Sequence, residues 1–162
     1  MSSNDNGFFR FIGRYPAMVA GLGAMLCITT LAGLDGLQSS GLWLMAPFGA
    51  TMVILFGLPD SPLAQPRNIF FGHLLTTLVG LIVLNGLGVQ PWSLGLAVGL
   101  AVSLMLLTHT THPPAGANPL IVMLSGQGWD FLWSPVALGA VIIILGGLVF
   151  HRSTGRRYPV RW

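Results

Sequence analysis

Thr108-His109-Thr110-Thr111-His112-Pro113-Pro114-Ala115-Gly116-Ala117-Asn118-Pro119-Leu120 is the stretch on which the reading of this chain turns. Two histidines, three prolines and a glycine interrupt a sequence that is otherwise almost wholly apolar, and no formally charged residue lies between Arg67 and Asp130. A polar, helix-breaking segment in such surroundings lies inside or beside a lipid bilayer. Broken backbone is costly there and is tolerated mainly where it is buried in protein or lines a cavity.

Composition sets the class around it. The 162 residues are 53% hydrophobic and 7% charged, whereas a soluble domain carries about 25% charged residues. The chain reads as an all-α integral membrane protein with the lipid bilayer as its medium. Its seven basic residues are all arginine, and six of them stand in Met1–Arg14 or in residues 152–162. That pattern suits anchors at the membrane edge and argues against a nucleic-acid partner. The start is too polar, and the following apolar run too long, for a cleaved signal, so the first helix is expected to stay. Cys27 sits in an apolar run and reads as packing. Asp5, Asp35, Asp60 and Asp130 are scattered outside the apolar runs, which leaves no carboxylate pair for acid–base work and no case for an enzyme.

Six apolar segments follow in one domain spanning residues 1–162. They cover 15–34, 42–58, 68–87 with Asn68 as its cap, 92–108, 113–124 opened by Pro113 and Pro114, and 135–150; a basic tail, 152–162, ends the chain. The halves resemble each other. Pro47-Phe48-Gly49-Ala50 and Pro114-Ala115-Gly116-Ala117 share a P-x-G-A start at an offset of 67, where Gly72 also meets Gly139 and Gly80 meets Gly147. Repeats of about 15–88 and 92–151 predict a 3+3 inverted architecture with two short central helices, 42–58 and 113–124. With both termini cytoplasmic in a bacterial-type plasma membrane, six crossings put all seven arginines inside and Asp35 and Asp130 outside. Four crossings, with the two short segments re-entrant, would put Arg67 outside; the arginine split favours six. Small residues at four-residue spacing (Gly72, Thr76, Gly80; Gly95, Gly99, Ser103; Ala17, Gly21) predict close helix seams, some of which could join copies in a homo-oligomer.

At His112-Pro113-Pro114 the chain resembles the HPP family of integral membrane proteins. The likeness extends to Ala46–Ala50, to the loop Pro59-Asp60-Ser61-Pro62-Leu63-Ala64-Gln65-Pro66-Arg67-Asn68, to Gly72-His73 and to Thr111–Leu120. The family includes nitrite transporters of cyanobacteria and chloroplasts, so the resemblance implies movement of nitrite or nitrate. Some relatives carry appended soluble domains; none is expected within these 162 residues.

The residues suit a small monovalent anion in their own right. A helix opened by proline leaves first-turn N–H groups at the positive end of its dipole, and a neighbouring glycine allows close approach. This predicts a central substrate site from Gly49, Ala50 and Thr51 of one half and Gly116, Ala117 and Asn118 of the other. Alternatively, each proline simply starts a packed helix. His109 and His112, three apart, would share a face on a continuing helix. With no further ligands nearby, H-x-x-H does not make a metal site. These histidines, with His73, are candidates for a gate or proton site, or for satisfying carbonyls in the broken segment. Arg67, with Gln65 and Asn68 beside it, would attract the anion or else anchor the chain at the interface. No cofactor is implied, and no Walker motif is present. A passive channel for another small solute and a non-transporting scaffold or sensor subunit are the competing readings.

Overall fold

Proline in the first turn, where a missing N–H breaks no helical hydrogen bond, sets where most of the helices begin. In the computed structural model, which describes residues 12–38 and 43–161, these are α1 (Pro16–Gln38), α2 (Ala46–Gly57), α3 (Pro66–Leu87), α4 (Pro91–Leu107) and α5 (Asn118–Leu124). The last is α6 (Leu138–Ser153). Asp5, Arg10 and Leu42 lie outside the described residues. The described chain is all-helical, and three stretches are long and apolar enough to cross a membrane: Pro16–Gly36, Pro66–Leu87 and Leu132–Ser153.

The short segments are shorter than their apolar runs. α2 has 12 residues, about 18 Å of helix against a hydrocarbon core of about 30 Å. Segment 113–124 divides into a tight turn at Pro113–Ala117 and the 7-residue α5, because two adjacent prolines remove two N–H donors where an α-helix would start. Asn68 does not cap α3. The helix opens two residues earlier at Pro66 with Gln65 in the cap position, and the Asn68 amide instead donates to the Thr111 carbonyl at 2.9 Å. The last helix is regular only from Leu138; its lead-in, Leu132–Ala137, is kinked at Ser134 (φ −132°, ψ 115°).

The packing between halves is exchanged. A side-chain carbon on Gly72 of α3 would lie 2.8 Å from His112 Cβ and 3.7 Å from Ala115 Cβ, and one on Gly80 would lie 2.8 Å from Pro119 Cα and 3.2 Å from Val122 Cβ. On α6, a carbon on Gly139 would run into the Phe48 ring, and one on Gly147 would lie 2.9 Å from Leu55 Cδ1. Ala115 and Phe48, and Val122 and Leu55, are 67 positions apart. Each long helix thus lays its two glycines against equivalent positions on the other half's short helix. Phe48, Leu55, Phe56, Ile69, Leu81, Val122 and Ile143 fill the core between them, and Cys27 packs at its edge as expected.

The chain after Ser153 folds back instead of trailing into solvent. Buried Gln65 donates to the Pro59 and Ser61 carbonyls at 2.9 and 2.7 Å, and its Oε1 accepts from the Val160 and Arg161 N–H groups at 2.9 and 3.2 Å. The Tyr158 hydroxyl donates to the Ala64 carbonyl at 2.7 Å. Arg67, two residues beyond Gln65, therefore stands at the same end of the bundle as residues 158–161. Burial pushes the Tyr158 phenol above its ordinary range. Its folded state favours the neutral form, so this contribution holds at neutral pH and is lost as pH climbs past about 10, where the unfolded phenol ionises. Tyr158→Phe is expected to cost about 1 kcal/mol at neutral pH. Thermal unfolding in detergent should show that gap closing above pH 10.

Candidate functional site

Four polar side chains meet with no exposed surface where the halves interlock: Thr51 from α2, His73 from α3, His112 from the broken segment and Asn118 from the start of α5. The Thr51 hydroxyl lies 3.0 Å from His73 Nε2 and 2.9 Å from His112 Nε2. Asn118 Nδ2 lies 3.1 Å from His73 Nδ1. His112 Nδ1 lies 2.8 Å from the Leu63 carbonyl. The two imidazoles are 5.0 Å apart, and the Phe48 ring meets His73 edge-on at 5.1 Å.

Hydrogen-bond chemistry fixes the neutral arrangement. A carbonyl only accepts, so His112 Nδ1 carries a proton toward Leu63 and Nε2 is left as an acceptor. The Thr51 hydroxyl donates to that nitrogen and accepts from His73 Nε2–H. His73 Nδ1 then accepts from the Asn118 amide, whose nitrogen also faces the His73 carbonyl at 3.1 Å and Thr77 Oγ1 at 3.0 Å. The Asn118 Oδ1 has no partner. Thr51 has a second acceptor within reach, the Pro47 carbonyl at 2.9 Å. If His112 takes a second proton, Thr51 can turn its own to Pro47 and accept from His112 Nε2–H. Either protonation state is satisfied without moving a heavy atom.

Thr51 and Asn118 stand 67 apart, the offset of the two P-x-G-A strings, and one ring, His73, bonds both. Backbone amides at the two starts make bonds of their own. Phe48 N–H bonds the Met45 carbonyl and Ala115 N–H bonds the His112 carbonyl, each at 2.9 Å, and Asn118 N–H bonds the Ala115 carbonyl. The prolines at each start have no N–H to offer. Gly49, Ala50 and Ala117 are exposed and Gly116 is half-buried, so only Thr51 and Asn118 of those six put side chains into the cluster.

His109 and His112 part company. α4 ends at Leu107 and closes with Thr110 N–H bonded to the Met105 carbonyl and His109 N–H to the Leu106 carbonyl. His109 takes the left-handed position (φ 55°) in that closure, where glycine is usual. It is exposed while His112 is buried. Arg67 donates to the Thr108 carbonyl at 3.1 Å, outside the cluster. Gln65 directs its amide hydrogens at the Pro59 and Ser61 carbonyls, and Asn68 donates to the Thr111 carbonyl. Among the described residues no third His, Cys or carboxylate joins His73 and His112 to make a metal cage. Thr77 and the Leu63 carbonyl complete the cluster and were not read from the sequence. Thr77 lies one helical turn beyond His73, which is the signal that could have found it.

The HPP transmembrane-region profile matches residues 12–159. Two proteins of Dictyostelium discoideum, each described as a transmembrane protein, are similar: one is 38% identical over 74% of this chain and 45% of its own length. The other is 36% identical over 77% of this chain and 43% of its own. The chain thus spans less than half of these curated relatives. No solved structure matches. The exchanged helix packing, the His-Pro-Pro segment at its centre and the extent of these matches lead to one conclusion: the chain belongs to the HPP transmembrane family.

Proposed function

We propose that the protein moves a small monovalent anion across the membrane, nitrite being the substrate that the family resemblance implies and nitrate a close second. The observation that carries this reading is the buried cluster itself, in which equivalent residues of two halves, Thr51 and Asn118, converge on His73. A polar group at this depth is costly unless function retains it. The cluster holds donors and two titratable imidazoles and no carboxylate, a chemistry that favours an anion over a cation. A proton taken by either imidazole would balance the anion's charge. An inside-negative potential opposes anion entry by about 2.3 kcal/mol per 100 mV, and co-transport of a proton removes that opposition.

The matched glycine contacts support a 3+3 inverted repeat, in which one half rocks on the other around the site. Four side chains without exposed surface suit a carrier that occludes its substrate better than an open channel. We assign no catalytic chemistry to the cluster. On this reading both termini face the cytoplasm of a bacterial-type cell. A second copy would meet the chain along Gly95 and Gly99, which are exposed and uncovered on α4.

The test is flux of nitrite, nitrate, formate and chloride into liposomes containing the purified chain, with and without a pH gradient. Nitrite is expected to move fastest, with saturation and with acceleration by an inward proton gradient. Flux that is indifferent to pH and solute would favour a passive channel. Flux no greater than that of protein-free vesicles would leave the scaffold reading.

A further inference from the structure

Outside the cluster, one groove pairs an apolar wall with a charge. α3 presents Arg67, Phe71, Leu74, Leu75 and Leu78 along one stripe, and Leu132 forms part of the facing wall, enclosing about 500 Å³. The stripe from residue 67 to 78 runs about 16 Å at 1.5 Å per residue, roughly half of a hydrocarbon core about 30 Å thick. Arg67 closes the end at the membrane edge, in the first turn of α3. Its one hydrogen bond among the described residues, from Nη2 to the Thr108 carbonyl at 3.1 Å, leaves other N–H groups of the guanidinium to donate. The groove's lining holds no carboxylate. Thr108 and Thr110, whose hydroxyls lie 2.8 Å apart, flank the same end.

We infer that this groove binds an anionic phospholipid, one acyl chain lying along the α3 stripe and the phosphate on Arg67. The groove's depth matches one leaflet, its wall matches a hydrocarbon chain, and its cation sits where the headgroup lies. Charge complementarity selects the anionic class: a zwitterionic headgroup brings its own cation to Arg67, whereas phosphatidylglycerol brings only the phosphate. The site is separate from the buried cluster and does not depend on the transport reading.

The full-length chain, purified and stripped of lipid in detergent, is mixed with equimolar phosphatidylglycerol and phosphatidylcholine, and retained lipid is counted by native mass spectrometry. One basic residue at the surface predicts about a fivefold preference for phosphatidylglycerol, with one molecule held per chain. Arg67→Gln should bring the two lipids to parity, and Leu75→Trp, which fills the groove, should lower retention of both. Arg152→Gln, on the tail side of α6, should keep the wild-type preference. Because Arg67 is exposed, its variant keeps the test decisive even if Leu75→Trp does not fold. Equal retention by the wild type, an unchanged preference in Arg67→Gln, or displacement of the lipid by glycerophosphate alone at equal concentration would overturn the assignment. So would a lipid-free dimer that forms through this face.

Discussion

Thr51→Val will lose nitrite flux in liposomes by at least about tenfold, and Thr51→Ser will keep it. Valine is nearly isosteric and fills the same space, so the substitution removes one hydroxyl and little packing. That hydroxyl is the sole link between His73 Nε2 and His112 Nε2. Its loss leaves two buried ring nitrogens without partners, at about 1–3 kcal/mol for each. A protein whose total stability is about 5–15 kcal/mol can bear this, and size-exclusion chromatography of the variant will check that it does. Serine restores the hydroxyl and hence both the link and the alternative acceptor at Pro47. If Thr51→Val transports at the wild-type rate while its unfolding temperature falls, the cluster is structural glue and the transport site lies elsewhere.

The second large effect is one of stability, and it should be asymmetric. Gly80→Ala will destabilise the protein far more than Gly147→Ala, although the two glycines stand at the same 67-residue offset as the P-x-G-A strings. A methyl group on Gly80 meets the Pro119 Cα, part of a backbone held by α5, at 2.8 Å. It can be accommodated only by pushing α5 away, the kind of overpacking that costs about 1–3 kcal/mol. A methyl on Gly147 meets only side-chain atoms of Leu55, Cδ1, Cδ2 and Cγ at 2.9, 3.0 and 3.2 Å, which give way more easily than backbone. Thermal unfolding of the two variants in one detergent checks the order; equal losses would mean that α5 yields as readily as a leucine side chain. Gly72→Ala should resemble Gly80→Ala, because it meets His112 Cβ at 2.8 Å and the Thr110 carbonyl at 3.1 Å, both in the segment that forms the cluster.

Much of this was legible before any coordinates. Charge-free runs gave the membrane class, and proline positions gave helix starts to within a few residues. The offset of 67 picked out Thr51 and Asn118 as partners. Polarity alone marked His73 and His112. What the sequence could not carry was distance. Positions 67 apart need not face one cavity, and of the six candidate residues only Thr51 and Asn118 put side chains into the cluster. His109 and His112 looked alike until the turn at His109 sent one outward and the other in. Gln65 and Asn68 looked like free donors, yet Gln65 spends its amide hydrogens on the Pro59 and Ser61 carbonyls, while its Oε1 accepts from Val160 and Arg161, 95 and 96 residues away, and Asn68 donates to the Thr111 carbonyl, 43 residues away. A one-dimensional reading sees local capping first, and these contacts are long-range.

The exchanged packing of the halves also sets an order of events during synthesis. His73, Thr76 and Thr77 enter the bilayer on α3 while Asn118, 45 residues further along, has still to be made. At ribosomal rates of about 5–20 residues per second, that interval lasts roughly 2–9 s. During it the first half holds a histidine whose second-half partner does not yet exist, and Gly72 and Gly80 lack the His112 segment and α5 that later cover them.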